Sequence, residues 1–202
     1  MEDAYLTIEG ISEGLYKEKG SKFLGFAHRV RTEEEAKEIV QQYRKQYYDA
    51  RHWCYAYILG ADKKRFRAND DGEPGNSAGT PILNQIRSKD LTDVVVIVVR
   101  YFGGTKLGVS GLVNAYKTAA AEALEEATII EEFLQKHVRI GFEYPQMNEV
   151  MKVAKNYDLD FSQQEFDMNC RITFWIRESL FPEVQAKLED IDGLTLTVFN
   201  EE

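Results

Sequence analysis

The sequence contains no long apolar run. Within its 202 residues, no segment approaches the roughly 20 consecutive apolar residues that a membrane-spanning helix needs. No short apolar segment of the kind found in secretory signals follows Met1. We therefore expect a cytoplasmic protein with no membrane partner. Its composition, 44% hydrophobic and 29% charged residues, is typical of a globular protein of one large domain or two small ones.

Cysteine is also scarce. The chain has two cysteines, Cys54 and Cys170, and they fall in strand-like segments of two different predicted domains. Such a pair fits buried, reduced thiols better than a disulfide or a zinc site. The sequence therefore predicts no metal and no cofactor.

Positive charge is in short supply as well. The formal net charge is −9, which disfavours indiscriminate binding of nucleic acid, because that affinity comes from Lys and Arg neutralising phosphates. Residues 133–202 hold 13 acidic and 7 basic residues, against 21 and 18 in residues 1–132. Two basic groups lie in this less acidic part, within residues 17–31 and 63–67. They are either solvated turns and strand edges or nucleic-acid contacts.

What is present is a pair of glycine-rich loops around the most apolar run of the chain. Val94–Val99 is a β-branched run without alternation, which predicts a strand buried on both faces. The loops Asp70–Thr80 and Tyr101–Ser110 flank this run, and each leads into a helical pattern. Because both loops adjoin ends of this strand or elements packed on it, we expect them to lie side by side and to form one site.

The second loop has the composition of an anion-binding turn. Gly103, Gly104 and Gly108 permit positive φ and close backbone approach. Lys106 adds a cation just before a helix, whose first N–H groups have no partner within the helix. No nucleotide-binding motif is satisfied, because Val109 stands where the Walker A pattern requires Lys and GxGxxG is absent.

The first loop places three carboxylates in four residues, Asp70, Asp71 and Glu73. They lack the alternating oxygen ligands of a calcium loop, so we expect them to bond backbone amides and shape the loop. His52, at the start of a predicted strand, is either a surface or hydrogen-bonded structural histidine or a catalyst. Arg100 either pairs with a carboxylate of this loop or contacts nucleic acid.

The residues themselves resemble a known family signature. The segment DDGEPxxxAGxPIL at 70–83, followed by VVRYFGGxKLGxxGLxxAY at 98–116, is similar to the signature of the IMPACT (YigZ-type) family. The similarity extends upstream through residues 21–23 and 49–54. Chain length and a smaller C-terminal module resemble the bacterial two-domain members.

The resemblance implies an α+β protein of two domains. Residues 1–132 would form an IMPACT N-terminal-like domain, an α/β sandwich similar to an RNA-contacting ribosomal-protein domain and to domain IV of elongation factor G. Residues 133–202 would resemble domain V of that factor. Their pattern of strand, helix, strand, strand, helix, strand itself predicts a ferredoxin-like arrangement.

The pattern also predicts individual elements of the first domain. Strands at 5–17 and 22–30 would form a hairpin. Thr32 would cap a helix in a capping box with Glu35. A short helix after residue 80 would be capped by Ser77 or Thr80.

For function, the resemblance implies translation control, because eukaryotic members of the family regulate translation initiation. We expect a non-catalytic protein whose first-domain loops contact RNA, the ribosome or a protein partner in translation control. The alternative is a hydrolase or other enzyme that acts on a phosphorylated or peptide substrate in the same cleft.

No residue is assigned a catalytic or metal-binding role. The predicted ligand-binding residues are Lys22, His52, Asp70, Asp71, Glu73, Arg100, Tyr101, Gly103, Gly104, Lys106 and Gly108. For nucleic acid, we expect Lys22, Arg100, Lys106 and the 63–67 group to supply cations, with Tyr101 and Phe102 as stacking surfaces.

Overall fold

The structure is a computed structural model that describes residues 3–200. The chain divides into two compact units of mixed helix and sheet. The first unit is Tyr5–Glu132, and among the described residues the second comprises Asp3, Ala4 and residues 133–200. No helix within residues 3–200 is long and apolar enough to cross a membrane.

The first unit is built on a five-stranded antiparallel sheet with the strand order β2-β3-β6-β4-β5. A separate strand pair joins β1 to β7. The elements in chain order are β1 (Ala4–Glu9), β2 (Ile11–Glu18), β3 (Ser21–Arg29), α1 (Glu33–Gln46), β4 (His52–Leu59), β5 (Arg65–Asn69), α2 (Gly79–Ser88), β6 (Val94–Tyr101), α3 (Gly108–Glu125) and β7 (Thr128–Phe133).

Strand β6 is the buried centre of this sheet, as the β-branched run predicts. Val94, Val96 and Val98 pack in the cluster that contains α2 and α3, and the alternate residues pack in the cluster that contains α1. Helix α3 lies close against the sheet because its facing residues are alanines. A Cβ added at Gly25 would lie 2.5 Å from the Ala119 carbonyl oxygen, so the sheet needs glycine there.

Three details of the first unit differ from the predictions. The expected strand over 5–17 is two strands, because Gly10 adopts a left-handed φ of +72° and β1 leaves the sheet to pair with β7. Thr32 Oγ1 accepts from the Glu35 amide at 3.1 Å, as expected of a cap. The Glu35 carboxylate, however, accepts from the Arg31 amide rather than from the Thr32 amide.

The start of α2 is the third difference. Its N-cap residue is Ala78, which has no side chain that could cap the helix. The hydroxyl of Ser77 instead donates to the Pro74 carbonyl at 2.5 Å. A carboxylate from the preceding loop takes over the capping role, as described below.

The second unit is a four-stranded antiparallel sheet with the order β11-β8-β10-β9. Its apolar face packs with both helices around residues such as Val138 and Phe174. The elements are β8 (Gln135–Glu143), a 3-10 turn (Tyr144–Gln146), α4 (Met147–Asn156), β9 (Asp160–Phe166), β10 (Asn169–Arg177), α5 (Phe181–Glu189) and β11 (Thr195–Phe199). The order of strands and helices is the one that the sequence pattern predicts.

Asp3 anchors the start of the chain to this second unit. Its carboxylate accepts from Arg177 Nη2 at 2.7 Å and from the Ser179 amide at 3.0 Å. These hydrogen bonds hold the pKa of Asp3 well below its usual value.

Candidate functional site

The two glycine-rich loops meet at one end of β6. We call residues 70–78 the first loop and residues 102–107 the second loop. The second loop begins directly after β6 ends at Tyr101. Glu73 of the first loop binds Arg100 of β6, two residues before the second loop starts. This contact places both loops at the same end of the sheet.

Asp70 gives the first loop its shape. Its Oδ1 accepts from the amides of Ala78 at 3.1 Å and Gly79 at 2.8 Å, and its Oδ2 accepts from the Asn76 amide at 2.9 Å. A carboxylate at the N-terminus of a helix is favourable both as a hydrogen-bond acceptor and as a charge. The Asp70 carboxylate therefore both closes the loop and caps α2.

Asp71 ties the same loop to α1 and β4. Its carboxylate accepts from Arg44 Nη2 at 2.6 Å and from the Trp53 amide at 2.8 Å. The Arg44 guanidinium also lies 5.1 Å from the centre of the Trp53 ring. Asp71 itself takes a positive φ of +43°, a conformation that Asp tolerates better than most residues. Asp70 and Asp71 thus bond backbone amides, as the loop composition predicts.

The expectation that Glu73 bonds backbone amides is wrong, because its carboxylate bonds side chains instead. Glu73 is 8% exposed and Arg100 is 5% exposed. Glu73 Oε1 accepts from Arg100 Nη1 at 2.5 Å and from the Tyr116 hydroxyl at 2.8 Å, and His52 Nε2 lies 3.7 Å away. Buried charges persist only when they are paired and hydrogen-bonded. Arg100 therefore pairs with a carboxylate of the first loop, and both side chains support the loops from beneath.

His52 is held in one orientation by the first loop. Its Nδ1 donates to the Asp71 carbonyl at 2.7 Å, which leaves Nε2 as the nitrogen that faces Glu73. Nearby, Cys54 Sγ donates to the Asp70 carbonyl at 3.1 Å, and burial raises the pKa of this thiol well above its usual value. Burial likewise raises the pKa of Tyr116. In the described residues 3–200, no group of three or more His, Cys, Asp or Glu side chains could hold a metal ion.

The second loop is exposed to solvent, whereas the first loop is held by hydrogen bonds. Phe102 is 43% exposed, and Lys106 is exposed as well. Gly104 and Gly108 adopt φ values of +91° and +73°, which their lack of a Cβ permits. Helix α3 starts at Gly108 with Leu107 as N-cap, no side-chain cap and no acidic residue in its first turn.

Gly103 fixes the second loop against the turn between β2 and β3. A Cβ added there would lie 2.0 Å from the Gly20 carbonyl carbon, and its amide donates to Ser21 Oγ at 3.1 Å. This contact brings Lys19 and Lys22, both exposed, beside the loop. We call the exposed side chains of Lys19, Lys22, Phe102 and Lys106 the loop-end surface. Lys19 was not among the predicted site residues, although its position beside a glycine turn is visible in the sequence.

Tyr101 does not share the exposure of Phe102. Its hydroxyl donates to Asp49 Oδ1 at 2.8 Å, and its ring packs against the cluster on the α1 side of the sheet. Burial, together with the bond to Asp49, raises the pKa of Tyr101 to about 12. Of the two predicted stacking residues, Phe102 is therefore the one placed on the surface.

The basic group at 63–67 lies at the opposite end of the sheet. Strand β4 runs from His52, which pairs with Arg100, to Leu59, which pairs with Arg65 of β5. Seven residues of strand span about 23 Å at roughly 3.3 Å per residue. The 63–67 group therefore does not lie beside Lys22 and Lys106, with which it was expected to supply cations to nucleic acid.

Comparison with known proteins identifies relatives over most of the chain. The sequence model of the family described as the Impact N-terminal domain matches residues 19–124. The chain is 31% identical to the Bacillus subtilis "IMPACT family member YvyE" over 175 residues, 87% of this chain and 81% of that one. It is 30% identical to the Escherichia coli "IMPACT family member YigZ" over 174 residues, 85% of each. A crystal structure described only as a hypothetical protein matches all of both chains, with 28% identity and a TM-score of 0.73.

Proposed function

This chain belongs to the IMPACT family, and from that premise we propose that it is a non-catalytic binding protein of translation control. In this proposal the loop-end surface contacts single-stranded RNA, either free or within the ribosome. The regulation of translation initiation by eukaryotic members of the family supports the cellular role. The surface itself supports the choice of RNA.

The observation that carries the proposal is the composition of the loop-end surface. One exposed aromatic ring, Phe102, and three exposed cations, Lys19, Lys22 and Lys106, belong to the second loop and to the end of the β2–β3 hairpin that Gly103 contacts. Single-stranded nucleic acids are bound by this combination, because bases stack on aromatic rings while cations neutralise phosphates. The glycine-rich backbone of the second loop and the uncapped start of α3 leave donors open at the same place.

We extend the proposal to the two domains. The assignment of residues 1–132 as an IMPACT N-terminal-like domain is supported by the family match within them. For residues 133–202, the strand order β11-β8-β10-β9 with both helices on one face supports a ferredoxin-like domain resembling domain V of elongation factor G. Its excess of acidic residues leaves RNA contact to the first domain.

The test is a titration of the protein with single-stranded RNA of about eight nucleotides, a length within the site sizes of such surfaces. Binding should weaken as salt rises from about 50 mM, by roughly 0.7 log units per log unit of salt for each phosphate contact. Lys106→Ala should lower that slope by about one contact. Lys64→Ala, in the basic group at the far end of the sheet, is the matched control and should leave it unchanged.

Two results would remove RNA from the proposal. One is the absence of binding at low salt, and the other is binding that neither Lys106→Ala nor Lys22→Ala weakens. Either result would leave a regulator that acts through a protein partner as the better account of this surface.

The geometry supports the enzymatic alternative less well than it supports binding. The two nitrogens of His52 face the Asp71 carbonyl and Glu73, and Glu73 is itself committed to Arg100 and Tyr116. A general base needs a free nitrogen or oxygen directed at substrate. Turnover of a phosphorylated or peptide substrate that His52→Ala abolished would restore the alternative.

A further inference from the structure

We propose that a groove between α2 and α3 holds a nucleobase of the RNA strand that the loop-end surface binds, with adenine preferred. The inference rests on the proposed function and names a second contact for the same ligand. It concerns side chains outside the predicted site.

The groove is slightly smaller than a typical ligand pocket, and its lining combines apolar and polar residues. It measures about 260 Å³, close to the lower limit of roughly 300 Å³ for ligand pockets. Half-buried Val113 of α3 provides apolar surface beside the buried Pro81 of α2, which suits the face of a planar ring. The polar residues that line the groove are Asn76, Thr80, Asn84, Gln85 and Lys117.

The carboxamides of this groove are available to a ligand. Across the described part of the chain, residues 3–200, the side chains of Asn84 and Gln85 make no hydrogen bond and Lys117 makes no ion pair. Asn76 accepts from the Thr80 hydroxyl through Oδ1, which leaves its amide donors open. A carboxamide presents a donor beside an acceptor, the pattern that Asn and Gln use to bind the N6 and N7 edge of adenine.

The charge of the groove favours a polyanion. No carboxylate lines it, and Lys117 stands at its edge. The larger cleft between α4 and α5, of about 660 Å³, is lined by Glu149, Glu183 and Asp190 as well as by lysines. Those carboxylates would repel a phosphate backbone at short range. Charge therefore favours the smaller groove for an RNA strand.

The position of the groove connects it to both loops. Lys117 lies nine residues beyond Gly108 on α3, which is about 14 Å along the helix axis. The opposite wall begins with Asn76, whose amide is held by Asp70. A strand of a few nucleotides that crosses the second loop can thus reach a wall that the first loop positions.

The experiment compares three oligonucleotides of about eight nucleotides: oligoadenylate, oligouridylate and a strand that lacks bases. The wild-type protein should bind oligoadenylate roughly five- to tenfold more tightly than oligouridylate, and the strand that lacks bases should bind more weakly than both because it cannot stack on Phe102. The double variant Asn84→Ala with Gln85→Ala should lose that preference. Asn156→Ala, which changes an amide in the acidic cleft, is the matched control and should keep it. Lys106→Ala should weaken all three strands by a similar factor.

Failure of this inference is distinct from failure of the proposed function. If binding requires Lys106, and oligoadenylate and oligouridylate bind equally while the strand that lacks bases binds more weakly, the groove holds no base and the loop-end surface still binds RNA. If all three strands bind equally, no base is stacked anywhere, and the role of Phe102 in the proposed function is wrong as well. If the double variant retains the adenine preference, the base lies elsewhere and the inference is wrong. If adenosine monophosphate alone binds as tightly as oligoadenylate, the groove is a mononucleotide site and the RNA assignment is overturned.

Discussion

The two loops are alike in composition and opposite in construction. The first loop is closed by carboxylates, with Asp70 bonding three backbone amides and Asp71 bonding a helix side chain and a strand amide. The second loop is held less. Within the described residues 3–200, residues 102–106 form one hydrogen bond outside regular strand and helix pairing, which the Gly103 amide donates to Ser21. Glycine content therefore shows only that a loop must bend, while acidic content shows which loop is internally held.

This difference assigns separate tasks to the loops. The first loop carries buried groups, such as Glu73 at 8% exposure, and holds other elements in place. The second presents Phe102 at 43% exposure and Lys106 without an ion pair inside the described range. We therefore expect substitutions in the first loop to change stability and those in the second to change binding.

The largest effect is expected for Glu73→Ala. It leaves the Arg100 guanidinium buried without its anion, and breaking a buried pair in this way costs about 3–5 kcal/mol. Urea unfolding measures the loss. Because Trp53 and Trp175 lie in different units, fluorescence in a Trp175→Phe background reports on the first unit.

A double-mutant cycle controls this result. Arg100→Met removes the stranded charge, so the Glu73→Ala, Arg100→Met protein should recover part of the loss. If Glu73→Ala costs less than about 1 kcal/mol, the pair is not the support of the first loop.

The next effect is expected for Asp70→Ala. The variant loses the carboxylate that accepts hydrogen bonds from three backbone amides and caps α2. The free energy of unfolding should therefore fall by about 2 kcal/mol. Asp62→Ala, which removes a carboxylate that bonds one amide in an exposed turn, should cost less than about 0.5 kcal/mol.

Cys54 provides an independent readout of the same substitution. Its thiol is buried beneath the first loop and donates to the Asp70 carbonyl. In a Cys170→Ala background, a thiol reagent should label Cys54 at least about tenfold faster after Asp70→Ala, because local opening becomes easier. Unchanged labelling would indicate that Asp70 does not hold the loop closed.

Gly103→Ala tests the one anchored point of the second loop. The added Cβ would meet Gly20 backbone at 2.0 Å, so the loop or the turn must move, at a cost of about 1–3 kcal/mol. Gly75→Ala, in the first loop, has open space around its Cβ and should change the free energy of unfolding by less than about 0.5 kcal/mol. Equal effects in the two variants would contradict the tight contact at Gly103.

Much of the fold could be predicted from local pattern. Val94–Val99 indicated a doubly buried strand, and the segment order of the second unit was visible in its periodicity. Strand β5 was missed because its residues are exposed, apart from half-buried Asn69, and only pairing with β4 defines it. Strand β7 was missed because it depends on β1, which separates from β2 at Gly10.

The site was predictable only where its contacts are local. Asp70 and Asp71 bond amides near them in the chain or beside the loop, as turn chemistry predicts. Tyr116 belongs to the apolar stripe of α3, and periodicity cannot show that its hydroxyl meets Glu73, 43 residues earlier. The separation of the 63–67 group from Lys106 likewise depends on strand register, which composition does not encode.

The smallest effect on stability is expected for Lys106→Ala. Its side chain is exposed and has no ion pair within the described chain, so the free energy of unfolding should change by less than about 0.5 kcal/mol. The same variant should still lower the salt dependence of RNA binding by about one phosphate contact. That combination, unchanged stability with altered binding, is the inverse of what Asp70→Ala should show. A Lys106→Ala protein that is clearly destabilised would mean that the second loop, like the first, is held by its own side chains, and the division of tasks between the loops would fail.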